Sequence, residues 1–232
     1  MIGPSIRKAI VTGGNSGIGK SIMHRFSDAG FKTAAGDINT SDGLPGPLFP
    51  VDFARPAEID SFCKKVTKTI GVPDILVCNA GRGIHEKLAE GDPDQWEHIF
   101  QLNVFSTFRL IRAFVPDMVQ KGFGDVIFIS SVSSSHAYPY GGIYAATKAA
   151  VDKLAETLRL EVQPSVRVTV IHPGVVDTNF FRDMINGTQT PESIGWGALT
   201  PGQVADAVLF AVNQPRDITL NDIVMRPSAQ VM

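Results

Sequence analysis

Several features that would each mark a class of protein are scarce in this chain. It has 2 cysteines in 232 residues, Cys63 and Cys78, with no Cys-x-x-Cys spacing. That argues against a disulfide scaffold and predicts buried, reduced thiols. Its 5 histidines are scattered without metal-ligand spacing, so no metal site is expected. No apolar run approaches the roughly 18 residues of a membrane span, and no hydrophobic signal region precedes "RKAIVTGG". The expectation is a cytoplasmic protein with no membrane partner. An excess of one charge is also lacking. The 21 Lys+Arg and 23 Asp+Glu leave a formal charge of -2, which argues against a nucleic-acid partner. No internal repeat or low-complexity tract is present.

What the chain does contain is a regular alternation. Hydrophobic residues make up 44% and charged residues 19%, the profile of a globular protein. Short β-branched runs predict strands at 8–12, 33–37, 48–52, 74–81, 125–131, 166–173 and 221–225. Helical patterns fall between them at about 17–29, 56–70, 94–120, 143–162 and 201–212, with Pro56 in a first turn. Continuous apolar strands separated by helices imply an α/β fold with a parallel sheet covered on both faces. No linker-like composition divides the chain, so residues 1–232 are expected to form one doubly wound domain. Such sheets bind ligands at the carboxyl ends of their strands.

"TGGNSGIG" (12–19) follows the first strand and opens the first helix, where a pyrophosphate would meet free amide groups. Gly13 suits a tight turn, Gly17 lets backbone approach phosphate, and Gly19 permits close packing of helix on sheet. The spacing is Gly-x-x-x-Gly-x-Gly rather than Gly-x-Gly-x-x-Gly. Asp37 ends the second strand, where a carboxylate can accept hydrogen bonds from an adenosine ribose. It would also repel a 2′-phosphate. Two like charges 4 Å apart at an effective dielectric of 20 cost about 4 kcal/mol, roughly a thousandfold in affinity. No Arg or Lys occupies Asn15, Ser16, Ile38 or Asn39, where it could offset that repulsion. NAD is therefore expected over NADP.

Tyr144 and Lys148 are four apart in "GGIYAATKAAVDKLAE" (141–156), so on a helix they share a face. Ser131 ends the fifth strand, and Asn103 sits within a helical stretch that gains nothing from asparagine. With "CNAG" at 78–81 and "PGVVDT" at 173–178, this set of motifs resembles the short-chain dehydrogenase/reductase family from about residue 7 to 180. The resemblance implies a Rossmann-type sheet in strand order 3-2-1-4-5-6-7. It implies Tyr144 as general acid or base, with Lys148 lowering the phenol pKa and binding the nicotinamide ribose. Ser131 would hold the substrate oxygen, and Asn103 would position a water. Asn15, Ser16, Gly17, Ile18 and Gly19 would join Gly13 around the pyrophosphate. Asp52 and Phe53 would line the adenine; Asn79, Ala80 and Gly81 would flank the ribose. Pro173, Val176 and Thr178 would meet the nicotinamide.

The pattern departs in two places. Cys78 stands where the family usually has asparagine, and "LNDIVMRPSAQVM" replaces the family's frequent Asp-Gly-Gly ending. That tail resembles those of short-chain dehydrogenases acting on serine and other 3-hydroxy acids, which mostly use NADP. The leading expectation is an NAD-dependent oxidoreductase acting on a small or medium secondary alcohol or ketone; the runner-up is an NADP-dependent 3-hydroxy acid dehydrogenase, and a silent nucleotide sensor is a remoter reading. The substrate cavity is expected from 82–84, 132–140 and a lid at 180–196, with Arg82, His136 and Arg182 as candidates for an acidic group. A homodimer or homotetramer is expected, since Ala145, Ala149 and Ala150 permit close helix approach.

Overall fold

All seven apolar runs become strands of one parallel sheet in a computed structural model that describes residues 6–41 and 43–231. The strands are β1 (Lys8–Thr12), β2 (Lys32–Asp37), β3 (Leu48–Pro50), β4 (Ile75–Cys78), β5 (Gly124–Ile129), β6 (Val166–Pro173) and β7 (Asp222–Met225). Their spatial order is 3-2-1-4-5-6-7, as expected. β1 pairs with both β2 and β4, so the winding reverses beside it and opens a crevice at the carboxyl ends of these strands.

Side chains that alternate along each strand feed two cores. Ile10 of β1 faces a cluster with Phe62, Leu110, Phe114, Val151 and Leu158. These come from α2 (Pro56–Ile70), α4 (Ser106–Lys121) and α5 (Gly142–Val162). Ala9 and Val11 face Ile22, Phe26, Val204 and Val208 of α1 (Gly17–Asp28) and α7 (Pro201–Val212). Full burial of a side chain such as Phe26 or Phe62 contributes about 1.5–3 kcal/mol. Cys63 and Cys78 are both buried, and burial pushes their thiols up to about 12. Among the described residues no helix is long and apolar enough to cross a membrane.

One local expectation is corrected, and two local features are added. The helix expected over 94–120 is interrupted: α3 (Pro93–Phe100) passes into a wider π-helical turn at Gln101–Phe105 before α4 begins. Asn103 lies inside that turn, the usual setting of a π-bulge at a functional site. Phe53, expected beside an adenine, has its ring in the core. It is 3% exposed and meets Phe62 edge-on at 5.5 Å, because the apolar face of α2 outcompetes a solvent-facing position. The lid contains a short helix, α6 (Pro191–Ile194), whose Thr190 and Ser193 form a reciprocal capping box.

At the amino end of the sheet, three guanidinium groups converge on Asp125. Arg167 Nε donates at 2.7 Å, Arg7 Nη2 at 2.8 Å and Arg216 Nη1 at 3.3 Å. Arg167 also donates to the carbonyls of Val212, Gln214, Pro215 and Ile218, fastening the chain between α7 and β7.

Candidate active site

The glycine turn lies where β1 hands over to α1. Gly13 and Gly17 have φ of 64° and 46°, a region that strains other residues. A Cβ at Gly19 would stand 2.1 Å from the Gly13 carbonyl oxygen, so only glycine fits. Ser16 caps α1 without a side-chain hydrogen bond, and no acidic residue occupies the first turn. The helix N-terminus therefore offers unneutralised amides to an anion. Asn79 braces the turn from β4, its Nδ2 donating to Thr12 O at 2.8 Å and Gly13 O at 3.1 Å. Asp37 is buried behind it. One carboxylate oxygen accepts from Asn15 N at 2.9 Å and the other from Asn39 N at 2.9 Å. Among the described residues the buried Asn15 Oδ1 has no hydrogen-bond partner.

The second half of the site stands on β5 and α5. Ser131, just past β5, accepts from Ser133 N at 3.1 Å, and its side chain is hydrogen-bonded to the Tyr144 phenol. Lys148 Nζ donates to Ile129 O at 2.8 Å and sits 5.7 Å from the centre of the Tyr144 ring. Asn103 acts from behind. Its Nδ2 donates to Arg82 O at 3.0 Å and Thr147 Oγ1 at 3.1 Å, while Oδ1 accepts from Arg82 N at 2.9 Å. Thr147 in turn donates to Tyr144 O at 2.7 Å. The π-turn thus lets Asn103 brace both the loop after β4 and the turn of α5 that carries the tyrosine.

Burial sets the electrostatics. It pushes the Tyr144 phenol above its usual value, helped by nearby Tyr138 and opposed by the Ser131 hydrogen bond. Burial also pushes the Lys148 ammonium down to about 8, opposed by the Asp152 carboxylate. The expectation that Lys148 lowers the phenol pKa is therefore corrected for the protein alone, where desolvation sets the direction and Lys148 is not among its causes.

A cavity of about 620 Å³ joins the two halves. Of the residues singled out from the sequence, Gly13, Ser16, Gly17, Ile18, Asn79, Ala80 and Gly81 line it. Ser131, Tyr144, Lys148, Pro173, Val176 and Thr178 line it too, with Thr178 against Gly17. Asn15, Gly19, Asp37, Asp52, Phe53 and Asn103 do not line it. Asp52 accepts from Ala54 N at 2.9 Å and pairs with Arg55 at 3.2 Å. The lid packs Phe180 against the Tyr144 ring with centroids 5.4 Å apart, and Met184, Ile194 and Trp196 complete an apolar wall.

One lining residue falls within the expected 132–140 stretch without having been singled out, and another lies outside every expected stretch. Tyr138 is a second phenol, and Gln230 of the tail accepts from Val175 N at 3.0 Å. No local spacing signals either one. Of the candidates for an acidic group, Arg82 donates instead to Asp183 O, and Arg182 pairs with the Asp183 carboxylate at 3.3 Å. His136 Nδ1 faces Ser135 Oγ and Val132 O.

This joining of a glycine-turn anion site to a Ser–Tyr–Lys cluster on a parallel sheet is a family property. The chain belongs to the short chain dehydrogenase family, which it matches over residues 7–188. It is 32% identical to an uncharacterized oxidoreductase of Staphylococcus aureus strain MRSA252, over 94% of this chain and 96% of that protein. Its fold is similar to an alcohol dehydrogenase of the archaeon Thermococcus sibiricus solved with 5-hydroxy-NADP, with a TM-score of 0.86 and 27% identity. That match covers 98% of this chain and 99% of the other. Serine dehydrogenase of Escherichia coli is also similar, with a TM-score of 0.83 and 29% identity over 97% and 100% of the two chains.

Proposed function

We propose that this protein is an oxidoreductase that transfers hydride between NAD and a small or medium secondary alcohol or its ketone. The observation that carries the reading is the single cavity with α1's uncapped N-terminus at one end and Ser131, Tyr144 and Lys148 at the other. A dinucleotide fits these residues. The glycine cradle would be filled by any Cβ, and the helix amides favour a pyrophosphate. When bound, the dinucleotide supplies the hydride donor or acceptor.

Each protein group then has a distinct task. Ser131 holds the substrate oxygen and stabilises charge as it develops. Tyr144, whose raised pKa keeps its proton at neutral pH, donates to a carbonyl oxygen in reduction. In oxidation the same residue accepts the alcohol proton as its phenolate, whose formation requires nearby positive charge; Lys148 provides part of it below about pH 8. Asn103 holds the Arg82 backbone and the Thr147 hydroxyl, fixing the turn that carries Tyr144. The lid's Phe180 and Trp196 exclude water from the reacting atoms.

Asp37 supports NAD over NADP by repulsion of a 2′-phosphate. A second reading, NADP-dependent oxidation of a 3-hydroxy acid, draws support from the likeness to serine dehydrogenase and from the NADP analogue bound by the Thermococcus relative. The apolar wall of Phe180, Met184, Ile194 and Trp196 favours the neutral substrate. Assembly as a homodimer or homotetramer accompanies the proposal, and the exposed Phe105–Phe108 pair on the α3–α4 helix supports it. The test is nicotinamide absorbance with NAD⁺ and NADP⁺ across neutral secondary alcohols and 3-hydroxy acids. Turnover confined to NADP⁺ and a hydroxy acid would replace the first reading by the second.

A further inference from the structure

Glu86 is a buried carboxylate that the proposed reaction does not use. It lies in the loop after β4, 9% exposed, and among the described residues every hydrogen bond of its side chain comes from an N–H donor. Oε2 accepts from Trp96 Nε1 at 2.7 Å and from Asp92 N at 3.2 Å, both at the start of α3. Oε1 accepts from Asn186 Nδ2 in the lid. The Glu86 N–H donates to Tyr140 O at 2.9 Å, in the loop between Ser131 and Tyr144. Three loops that border the substrate end of the cavity therefore meet at this one residue.

Beside it the lid is stitched down by backbone. Ile84 and Ile185 form an isolated parallel bridge, with Ile185 N donating to Gly83 O and His85 N to Ile185 O, both at 3.0 Å. Asn186 turns the chain away at φ 53°, a conformation asparagine and aspartate tolerate better than most residues. Charge-assisted bonds to an ionised carboxylate are roughly twice as strong as neutral ones.

We propose that Glu86 is a positioning residue for the substrate: through Asn186 it fastens the 183–187 end of the lid over Tyr144. This rests on the reading of 180–196 as the cover of an alcohol-binding cavity. Loss of the fastening opens the substrate end and leaves the dinucleotide end as it was.

Glu86→Ala strips three buried donors at once and risks misfolding, so the informative variant is Asn186→Asp. It sets carboxylate against carboxylate at the lid contact alone, leaving the bonds from Trp96 and Asp92. The double variant Glu86→Gln/Asn186→Asp reverses donor and acceptor across the same contact and still accepts from Trp96 and Asp92. Asn186→Asp is expected to raise KM for the best alcohol about tenfold, a change of about 1.4 kcal/mol. The NADH dissociation constant, read by fluorescence, and kcat are expected to hold. Tryptic cleavage after exposed Arg182 in the ligand-free protein should accelerate in step, and the double variant should restore both readouts. Unchanged KM and cleavage in Asn186→Asp, or no recovery in the double variant, would overturn the proposal. If no alcohol is turned over by the wild type, the oxidoreductase reading fails. The cleavage rates then decide by themselves whether Glu86 fastens the lid.

Discussion

Arg167 at the amino end of the sheet and Lys148 at the carboxyl end are buried almost equally, 4% and 7% exposed. Arg167 engages all three guanidinium nitrogens, with one bond to Asp125 and four to backbone carbonyls. Lys148 makes one hydrogen bond, to Ile129 O, and turns the rest of its ammonium toward a cavity it shares with Tyr144 and Ser131. Burial alone therefore does not mark a functional charge. Engagement does: a buried cation held through every nitrogen is structural, and one with donors in reserve beside a cavity is available for chemistry.

Substitutions at the two ends should separate rate from stability. Tyr144→Phe removes the proton donor and is expected to lower kcat by about 10²–10⁴-fold in steady-state assays, with the melting midpoint little changed. Asp125→Asn should do the reverse. Leaving three guanidiniums around a neutral amide costs about 3–5 kcal/mol, or roughly 10 °C in thermal unfolding, while kcat at low temperature holds.

Smaller effects sharpen the carboxyl end. Asp37→Asn keeps one acceptor and removes the charge, so the ratio of kcat/KM with NAD⁺ to that with NADP⁺ should fall at least about tenfold. The Lys148 ammonium is charged below about pH 8 and neutral above it, so a rate that needs its charge falls as pH rises through that value. Asp152 opposes the burial effect, and Asp152→Asn should move this falling limb toward lower pH in a kcat/KM profile. A limb that stays in place would separate Lys148's charge from the rate.

Much of this was legible in the chain itself. Strands buried on both faces are written as continuous apolar runs, and the glycine turn must sit where β1 meets α1. Tyr144 and Lys148 share a face because α5 is an ordinary helix. What could not be read depends on long-range competition. Phe53 could have faced solvent or Phe62, and only the position of α2 decides that. Glu86 with Asn186, Arg82 with Asp183, and Gln230 with Val175 pair across loops far apart in the chain, where spacing carries no signal. The raised Tyr144 phenol was missed for a related reason: the sequence shows a cation four residues away but not how dry the pocket is.

The wide turn at Gln101–Phe105 also bears on how such a site is inherited. A π-turn is in effect one surplus residue carried inside a helix, held because something rewards it. Deleting a residue there would heal the helix into regular register and rotate everything on one side of it by about 100° relative to the other. Either Ile99 or the Leu110–Phe114–Met118 stripe would then leave its core, and Asn103 would swing off the Arg82 backbone. The fold and the site are thus locked to the same insertion, and a lineage that keeps one is obliged to keep both.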